Sequence, residues 1–383
     1  MSVVREEIIE RVQRRLITQG GGAGAADIAA AVRAEAGAIS DVDVLAILRR
    51  LRDDSVGVGA LEPVVALPGV TDVVVNGPGG VWFDRGRGLE RSEVCFADDA
   101  AVRRLAARLA ASVGVRLDDA QPFADGRLRR EDGTSIRFHA VLSPPSESGT
   151  CLSLRVLRQA AMSMGQLVCA GTLPEPVASC LCAAVRAGRS YLVVGGTGTG
   201  KTTLLSALLA EVPGDQRLLC IEDTAELAPA HPHVVSLVAR GANVEGRGEI
   251  TLGALLRQGL RMRPDRIVVG EIRGAEIVDL FSALNTGHEG GAGTLHANSL
   301  AEVAARIEAL AALGGLDRRA AHSQWIAAVR MVLVMRRGAD GQRALAQIGV
   351  VERGPAGGAE VREVWRAGER GACLDELRQA LSW

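Results

Sequence analysis

The chain has 383 residues, with 44 Lys plus Arg against 45 Asp plus Glu, so its formal charge of −1 sets up no global field toward nucleic acid or an anionic bilayer. Hydrophobic residues at 48% and charged residues at 23% exclude a disordered chain and suit two folded domains of ordinary size. Aromatics at 3% leave too few rings for a base-stacking surface, which argues further against direct nucleic-acid contact.

In chain order, Val4, Ile8, Val12 and Leu16 recur every four residues and predict an amphipathic helix. TQGGGAG (18–24) is a flexible linker, and AADIAAAVRAEAG and DVDVLAILRRLRDD predict two more helices. Residues 1–56 are therefore expected to form a helical N-terminal extension. From residue 57 the texture changes. VTDVVVNGPGGVWFDRG alternates apolar runs with Asn-Gly and Pro-Gly-Gly turns, as short strands do. ADDAAVRRLAARLAASVG has helical spacing through Val102, Leu105 and Leu109, DGTSIRFHAVL returns to strand, and SPPSESG is a loop. Together, 57–150 predict a compact α+β domain.

Residues 151–175 are expected to link it to a second domain, 176–383. There LVV (192–194), LLCI (218–221) and RIVV (266–269) alternate with helical patterns, one carrying Ile277, Leu280, Phe281 and Leu284. That alternation predicts a parallel sheet covered on both faces. Ser299 and Glu302 have the spacing of a capping box before the helix with Val303, Ile307 and Leu310. The tail, 331–367, predicts short strands around an Asp-Gly turn and a PAGG loop.

Seven cysteines (95, 151, 169, 180, 182, 220 and 373) are odd in number and lack a C-x-x-C pair. They are expected to be buried free thiols in a reducing compartment rather than metal ligands. MSVVREEIIE mixes charges at once, unlike a signal peptide, and no apolar run reaches bilayer length. The expectation is a cytoplasmic protein with only peripheral membrane association.

One stretch carries specific chemistry. Gly195, Gly196, Thr197, Gly198, Thr199, Gly200, Lys201 and Thr202 satisfy G-x-x-x-x-G-K-[ST] between a strand and a helix, and Thr203 follows. Such a loop turns backbone N–H groups toward phosphate, and the helix start adds its positive dipole end. Lys201 would reach the β and γ phosphates and Thr202 would bind Mg²⁺. Lys201 is also the only lysine in the chain, against 43 arginines. A glycine loop needs a compact ammonium, which a planar guanidinium cannot replace.

Two further strands end in acids, LLCI in Glu222-Asp223 and RIVVG in Glu271. In a parallel sheet these ends lie near the phosphate loop, where they suit a Mg²⁺ shell or a base for water. With the loop they imply ATP hydrolysis rather than binding alone. GTLHANS places His296 after another short strand, on the same edge.

GGTGTGKTTLL, IEDTAEL, LRMRPDRIVVGEIRG, LNTGHEGG and GTLHANS, in this order, resemble the secretion ATPases of the type II/type IV superfamily. NVEGRGEIT, VTDVVVNGPGGVW and RLDDAQPF are most similar to its Tad/Cpa branch of pilus-assembly ATPases. The resemblance implies a RecA-like P-loop NTPase domain for 176–383 and a homohexameric ring on the cytoplasmic face of the inner membrane. It also implies ATP between the N- and C-terminal domains, and hydrolysis that moves those domains against inner-membrane platform proteins to assemble Flp/Tad-type pili or secrete protein. Glu222 matches the family's acidic-box glutamate, Glu271 its Walker B glutamate and His296 its histidine-box residue, with Mg²⁺ held by Thr202 and, through water, by Glu222 or Glu271. Arg137 and Arg155 match arginines that reach the phosphates, and Arg240, Arg261 and Arg263 are further candidates.

Two departures stand out. The family usually has Arg three residues after the Asp of its Asp-Gly turn, whereas Arg137 is five after Asp132, and Gly290-Gly291 replaces a usual Gly-Ser. Two other readings stay open: a conjugation-type relative supporting DNA transfer, and a nucleotide-gated scaffold without turnover.

Overall fold

A computed structural model describes residues 57–86, 88–130, 134–157, 162–241 and 247–368, together with Gln379. The three helices expected in 1–56, Asp132, residues 243–246 of the NVEGRGEIT stretch and Cys373 lie outside the described residues. The chain divides into two compact units, 1–158 and 159–383.

After a short helix α1 (Glu62–Val65), the first unit builds a six-stranded sheet. Its strands are β1 (Asp72–Asn76), β2 (Val81–Asp84), β3 (Leu89–Arg91), β4 (Phe123–Arg129), β5 (Ser135–Val141) and β6 (Cys151–Leu157). The order is β3-β2-β1-β6-β5-β4, antiparallel throughout. Helix α2 (Asp99–Ser112) starts at Asp98, whose side chain accepts from Ala101 N at 2.7 Å. Its buried stripe of Val102, Leu105, Ala106, Leu109 and Ala110 shares one core with Val73, Ile136, Phe138 and Leu154. Each large side chain buried there contributes about 1.5–3 kcal/mol.

Strand β6 corrects the expectation of a linker over 151–175. In CLSLRVL the alternate residues Leu152, Leu154 and Val156 are buried, and the strand pairs with both β1 and β5 at the middle of the sheet. Farther on, α3 (Met164–Cys169) opens with a full capping box between Ser163 and Gln166 and packs in the second unit.

The second unit continues with α4 (Glu175–Arg186), β7 (Tyr191–Val194), α5 (Lys201–Leu209), β8 (Leu218–Glu222), β9 (Val234–Val238), α6 (Leu252–Gly259) and β10 (Arg266–Ile272). Then follow α7 (Glu276–Leu284), β11 (Ala292–Leu295), α8 (Leu300–Leu313), α9 (Arg318–Ala328), β12 (Met331–Arg337), β13 (Arg343–Arg353) and β14 (Ala359–Arg366). The sheet order is β14-β13-β12-β7-β11-β10-β8-β9. Successive residues of β7 face opposite cores: Val193 packs with α3, α4 and α5, while Leu192 and Val194 pack with α6 to α9. Six strands, β12 through β9, are parallel. The last two are antiparallel and so depart from the all-parallel expectation. Hairpins at Asp340-Gly341 and Pro355–Gly358 return the chain on itself, and a hairpin can only make antiparallel neighbours. Strand β13, at 11 residues, is long rather than short.

Two local expectations also change. Ser299 makes no side-chain cap to α8. Glu302 turns instead to Asn298, accepting from its backbone N at 2.8 Å and its Nδ2 at 3.2 Å. Cys180, Cys182 and Cys220 are buried, and burial pushes the thiols of Cys182 and Cys220 up to about 11 and about 12, but Cys95 and Cys169 are exposed.

Gly291, where the family pattern usually has Ser, sits at the entry to β11. A β-carbon there would lie 2.4 Å from Ile267 O and 2.5 Å from Leu284 Cδ2. Gly291→Ser is therefore expected to destabilise the protein by about 1–3 kcal/mol through overpacking. Thermal unfolding checks this, and an unchanged midpoint would contradict it.

Candidate functional site

Because β7, β8, β10 and β11 are parallel, their C-terminal ends share one edge of the sheet. The connection after β7 runs to one side, toward β8, and the connection after the neighbouring β11 runs to the other, toward β12, which makes this edge a topological switch point. The glycine loop leaves β7 here. Gly195 has φ +154°, and a β-carbon on it would lie 2.5 Å from Met335 O and 2.7 Å from Thr199 Oγ1. Gly200, with φ +94°, is the residue before the first turn of α5. Thr199 Oγ1 donates to Gly196 O at 2.9 Å and tightens the loop.

Lys201 is 8% exposed. Its Nζ donates to Gly195 O at 3.0 Å and to Gly196 O at 2.9 Å, so the ammonium lies back across its own loop. Burial lowers its pKa, and the charges of Glu271 and Glu226 offset part of that. Thr202 and Thr203 are half-buried in the same turn. Beside them is a cavity of about 270 Å³ lined by Met162, Leu167, Thr172, Thr203, Met335 and Arg343 among others. No sequence motif announced it, because its walls come from α3, α5 and the β12–β13 hairpin.

The acids are not equivalent. Glu222 is 2% exposed, and its Oε1 accepts from the backbone N of Glu226 and of Leu227, both at 2.9 Å. A β-carbon on Gly270 would be 2.5 Å from Glu222 Cγ, so that glycine of RIVVGE makes room for it. Glu222 thus anchors the acidic loop after β8. Glu271 is more open and has one oxygen on each of two side-chain partners: Oε1 on His296 Nε2 at 2.5 Å, and Oε2 on Arg273 Nη2. Burial raises its pKa, but Arg273 and His296 outweigh that and hold the carboxyl below the ordinary range. Arg273, whose own pKa is raised chiefly by Glu271, was missed in the sequence because GEIRG shows only one more arginine among 43.

Within this unit, then, the edge brings together Lys201, Thr202, Glu222, Glu271 and His296. Of the arginine candidates, Arg240, Arg261 and Arg263 belong to this unit. Arg240 bridges to Ile250 and donates from Nε to Gly248 O at 3.0 Å. Arg261 and Arg263 are exposed, and Arg263 has φ +54°, the only positive φ of a non-glycine among the described residues. A left-handed residue costs about 1–2 kcal/mol, and here it ends the turn after α6, directly ahead of Pro264 and three residues before β10. Arg137 and Arg155 belong to the first unit, where they are cross-strand neighbours on the exposed face, in line with Arg127. Arg155 Nε donates to Asp72 Oδ1 at 3.1 Å, and His139 pairs with Asp125 at 3.0 Å.

Residues 54–339 match the family described as type II/IV secretion system protein. A Mycobacterium tuberculosis protein provisionally named for conjugal transfer, Rv3659c, is 56% identical over 339 residues, 88% of this chain and 96% of its own. The conjugal transfer protein TrbB of Rhizobium radiobacter is 32% identical over 247 residues, 63% of this chain and 72% of its own. The crystal structure of the pilus retraction motor PilT with bound ADP aligns with a TM-score of 0.54 at 19% identity, covering 81% of this chain and 82% of that one. The likeness is one of fold, a RecA-like P-loop architecture. No helix among the described residues is long and apolar enough to cross a membrane.

The lowered pKa of Glu271 makes a signed prediction. A carboxyl held down in the folded state stabilises the protein above its unfolded-state pKa, about 4.3, and loses that contribution as pH falls through the folded value. Glu271→Gln should therefore be less stable than the parent at pH 7, with the gap closing as pH drops below about 4.3. Denaturant titrations across pH check this; a gap that widens toward acid would contradict it.

Proposed function

Because the chain belongs to the type II/IV secretion ATPase family, we propose that it is an ATP-hydrolysing motor that works as a homohexameric ring. It drives pilus assembly or protein secretion from the inner face of the cytoplasmic membrane, coupled to inner-membrane platform proteins. The observation that carries the catalytic part of this reading is the shared edge holding a buried ammonium in a glycine loop and a carboxylate fixed by His296.

The residues fit a triphosphate and Mg²⁺. The loop is a cradle that a side chain at Gly195 would fill. Thr202 and, through water, Glu271 or Glu222 would supply hard oxygen donors to such an ion. When bound, Mg²⁺ would neutralise charge on the phosphates. Lys201 exchanges its two loop carbonyls for phosphate oxygens, which relieves a buried charge of weak partners. Glu271, kept ionised by its neighbours, accepts the proton of the attacking water, and His296 holds that carboxylate in place. Glu222 keeps the acidic loop in place through Oε1. The adjoining cavity takes the adenosine end. Arg137 and Arg155 are the leading candidates for added positive charge on the phosphates, with Arg240, Arg261 and Arg263 behind them.

A second reading, support of DNA transfer in conjugation, is favoured by the names of two relatives at 56% and 32% identity. Stimulation of the ATPase by DNA, and not by a membrane-platform extract, would rank it first.

Lys201→Ala is expected to abolish nucleotide binding. Glu271→Gln should bind ATP while turnover falls by on the order of 10²-fold or more. Equilibrium titration and phosphate release measure the two; parental turnover in Glu271→Gln would remove the site. ATPase rate against protein concentration, with particle size recorded alongside, tests the ring. A rate that stays proportional to monomer would exclude it.

A further inference from the structure

Asn298 stands two residues after His296, between β11 and α8, and nothing so far gives it a role. Its backbone N and its Nδ2 both donate to Glu302 Oε2, at 2.8 and 3.2 Å. That oxygen accepts from both groups, so the NH₂ end of the carboxamide faces Glu302. The oxygen end then faces away from it. In that direction lies the glycine loop: a β-carbon placed on Gly196 would be 3.7 Å from Asn298 Oδ1. An acceptor aimed at a phosphate loop repels phosphate oxygen and attracts an O–H. Asn298 is exposed, so water reaches it. Strand β11 also lies between β7, which feeds the loop, and β10, which carries Glu271. A residue just past its end is therefore placed between the two.

We propose that Asn298 is a catalytic residue that holds the attacking water, with Glu302 as the positioning residue that fixes the sense of its carboxamide. Oδ1 accepts one O–H of the water and Glu271 accepts the other. The water oxygen forms the bond to the γ phosphorus, and the bond from that phosphorus to the β–γ bridging oxygen breaks, leaving its electron pair on ADP. The proton of the attacking water goes to Glu271, and Asn298 exchanges none. This inference rests on the hydrolytic reading above.

The test uses the full chain and compares the parent with Asn298→Ala, Glu302→Gln and the double variant. Turnover, the dissociation constant of a fluorescent ADP and the thermal midpoint are measured for each. Asn298→Ala should lower kcat by about 10²-fold, at the low end of proton-handling effects, with the dissociation constant within about two-fold of the parent. A glutamine side chain can donate as well as accept, which frees the Asn298 carboxamide to turn over, so Glu302→Gln should lower kcat by a smaller factor. The double variant should be no slower than Asn298→Ala, as for residues acting in series. Parental kcat in Asn298→Ala would overturn the proposal. So would weakened nucleotide binding matching the loss in kcat, which would place Oδ1 on Lys201 instead of water. If the alanine variant does not fold, Glu302→Gln decides alone: parental kcat there overturns the proposal. A parent that binds nucleotide but releases no phosphate would overturn the hydrolytic reading itself.

Discussion

Lys201 is a charge almost removed from water, held by two carbonyls of the loop it belongs to. Carbonyl dipoles satisfy an ammonium less well than an anion does, and burial already lowers its pKa. The loop is therefore in a state that a polyphosphate improves. The close approach that makes this work needs glycine at Gly195, where any side chain would strike Met335 O and Thr199. It also needs β12 beside β7, since Met335 sits on that neighbouring strand. The ammonium, the glycine and the strand order are one constraint.

The acids follow from the same edge. Only parallel strands bring the ends of β8, β10 and β11 alongside the loop. Once there, the two glutamates separate by environment. Glu222 is buried and spends Oε1 on two backbone N–H groups, which fixes the loop that carries Glu226. Glu271 stays more open, with both oxygens on side chains, Arg273 and His296, that hold its pKa down. A carboxylate held by side chains can change partners, whereas one held by backbone cannot do so without moving its loop. That difference is the reason to place water chemistry at Glu271.

Much of this was legible in the residues. Helical spacing located α2, α7 and α8, and apolar runs located β7, β8 and β10. G-x-x-x-x-G-K-T could be read because its chemistry is local: each residue serves a loop only eight residues long. What was missed depends on partners far apart in sequence. CLSLRVL alternates as a strand should, but the loop before it drew attention away from the sheet it joins. The antiparallel edge of β13 and β14 could be seen as turns but not as a place in the sheet. Ser299 and Glu302 had the spacing of a cap, and spacing does not tell that Glu302 prefers the amide of Asn298. Arg273 could not be picked out by type in a chain so rich in arginine, and only its contact with Glu271 marks it.

That abundance of arginine makes the central claim directly testable, since arginine is the cation this chain uses at every other site. Equilibrium nucleotide titration of Lys201→Arg, with thermal unfolding to establish that the variant is folded, is the most direct measurement. A guanidinium is planar and bulkier, and the space at position 201 is closed by the loop itself. The account predicts a folded protein with nucleotide affinity weakened by about 10²-fold or more, the size of losing a charge-assisted contact to phosphate. Affinity within a few-fold of the parent would contradict the claim that this loop requires an ammonium.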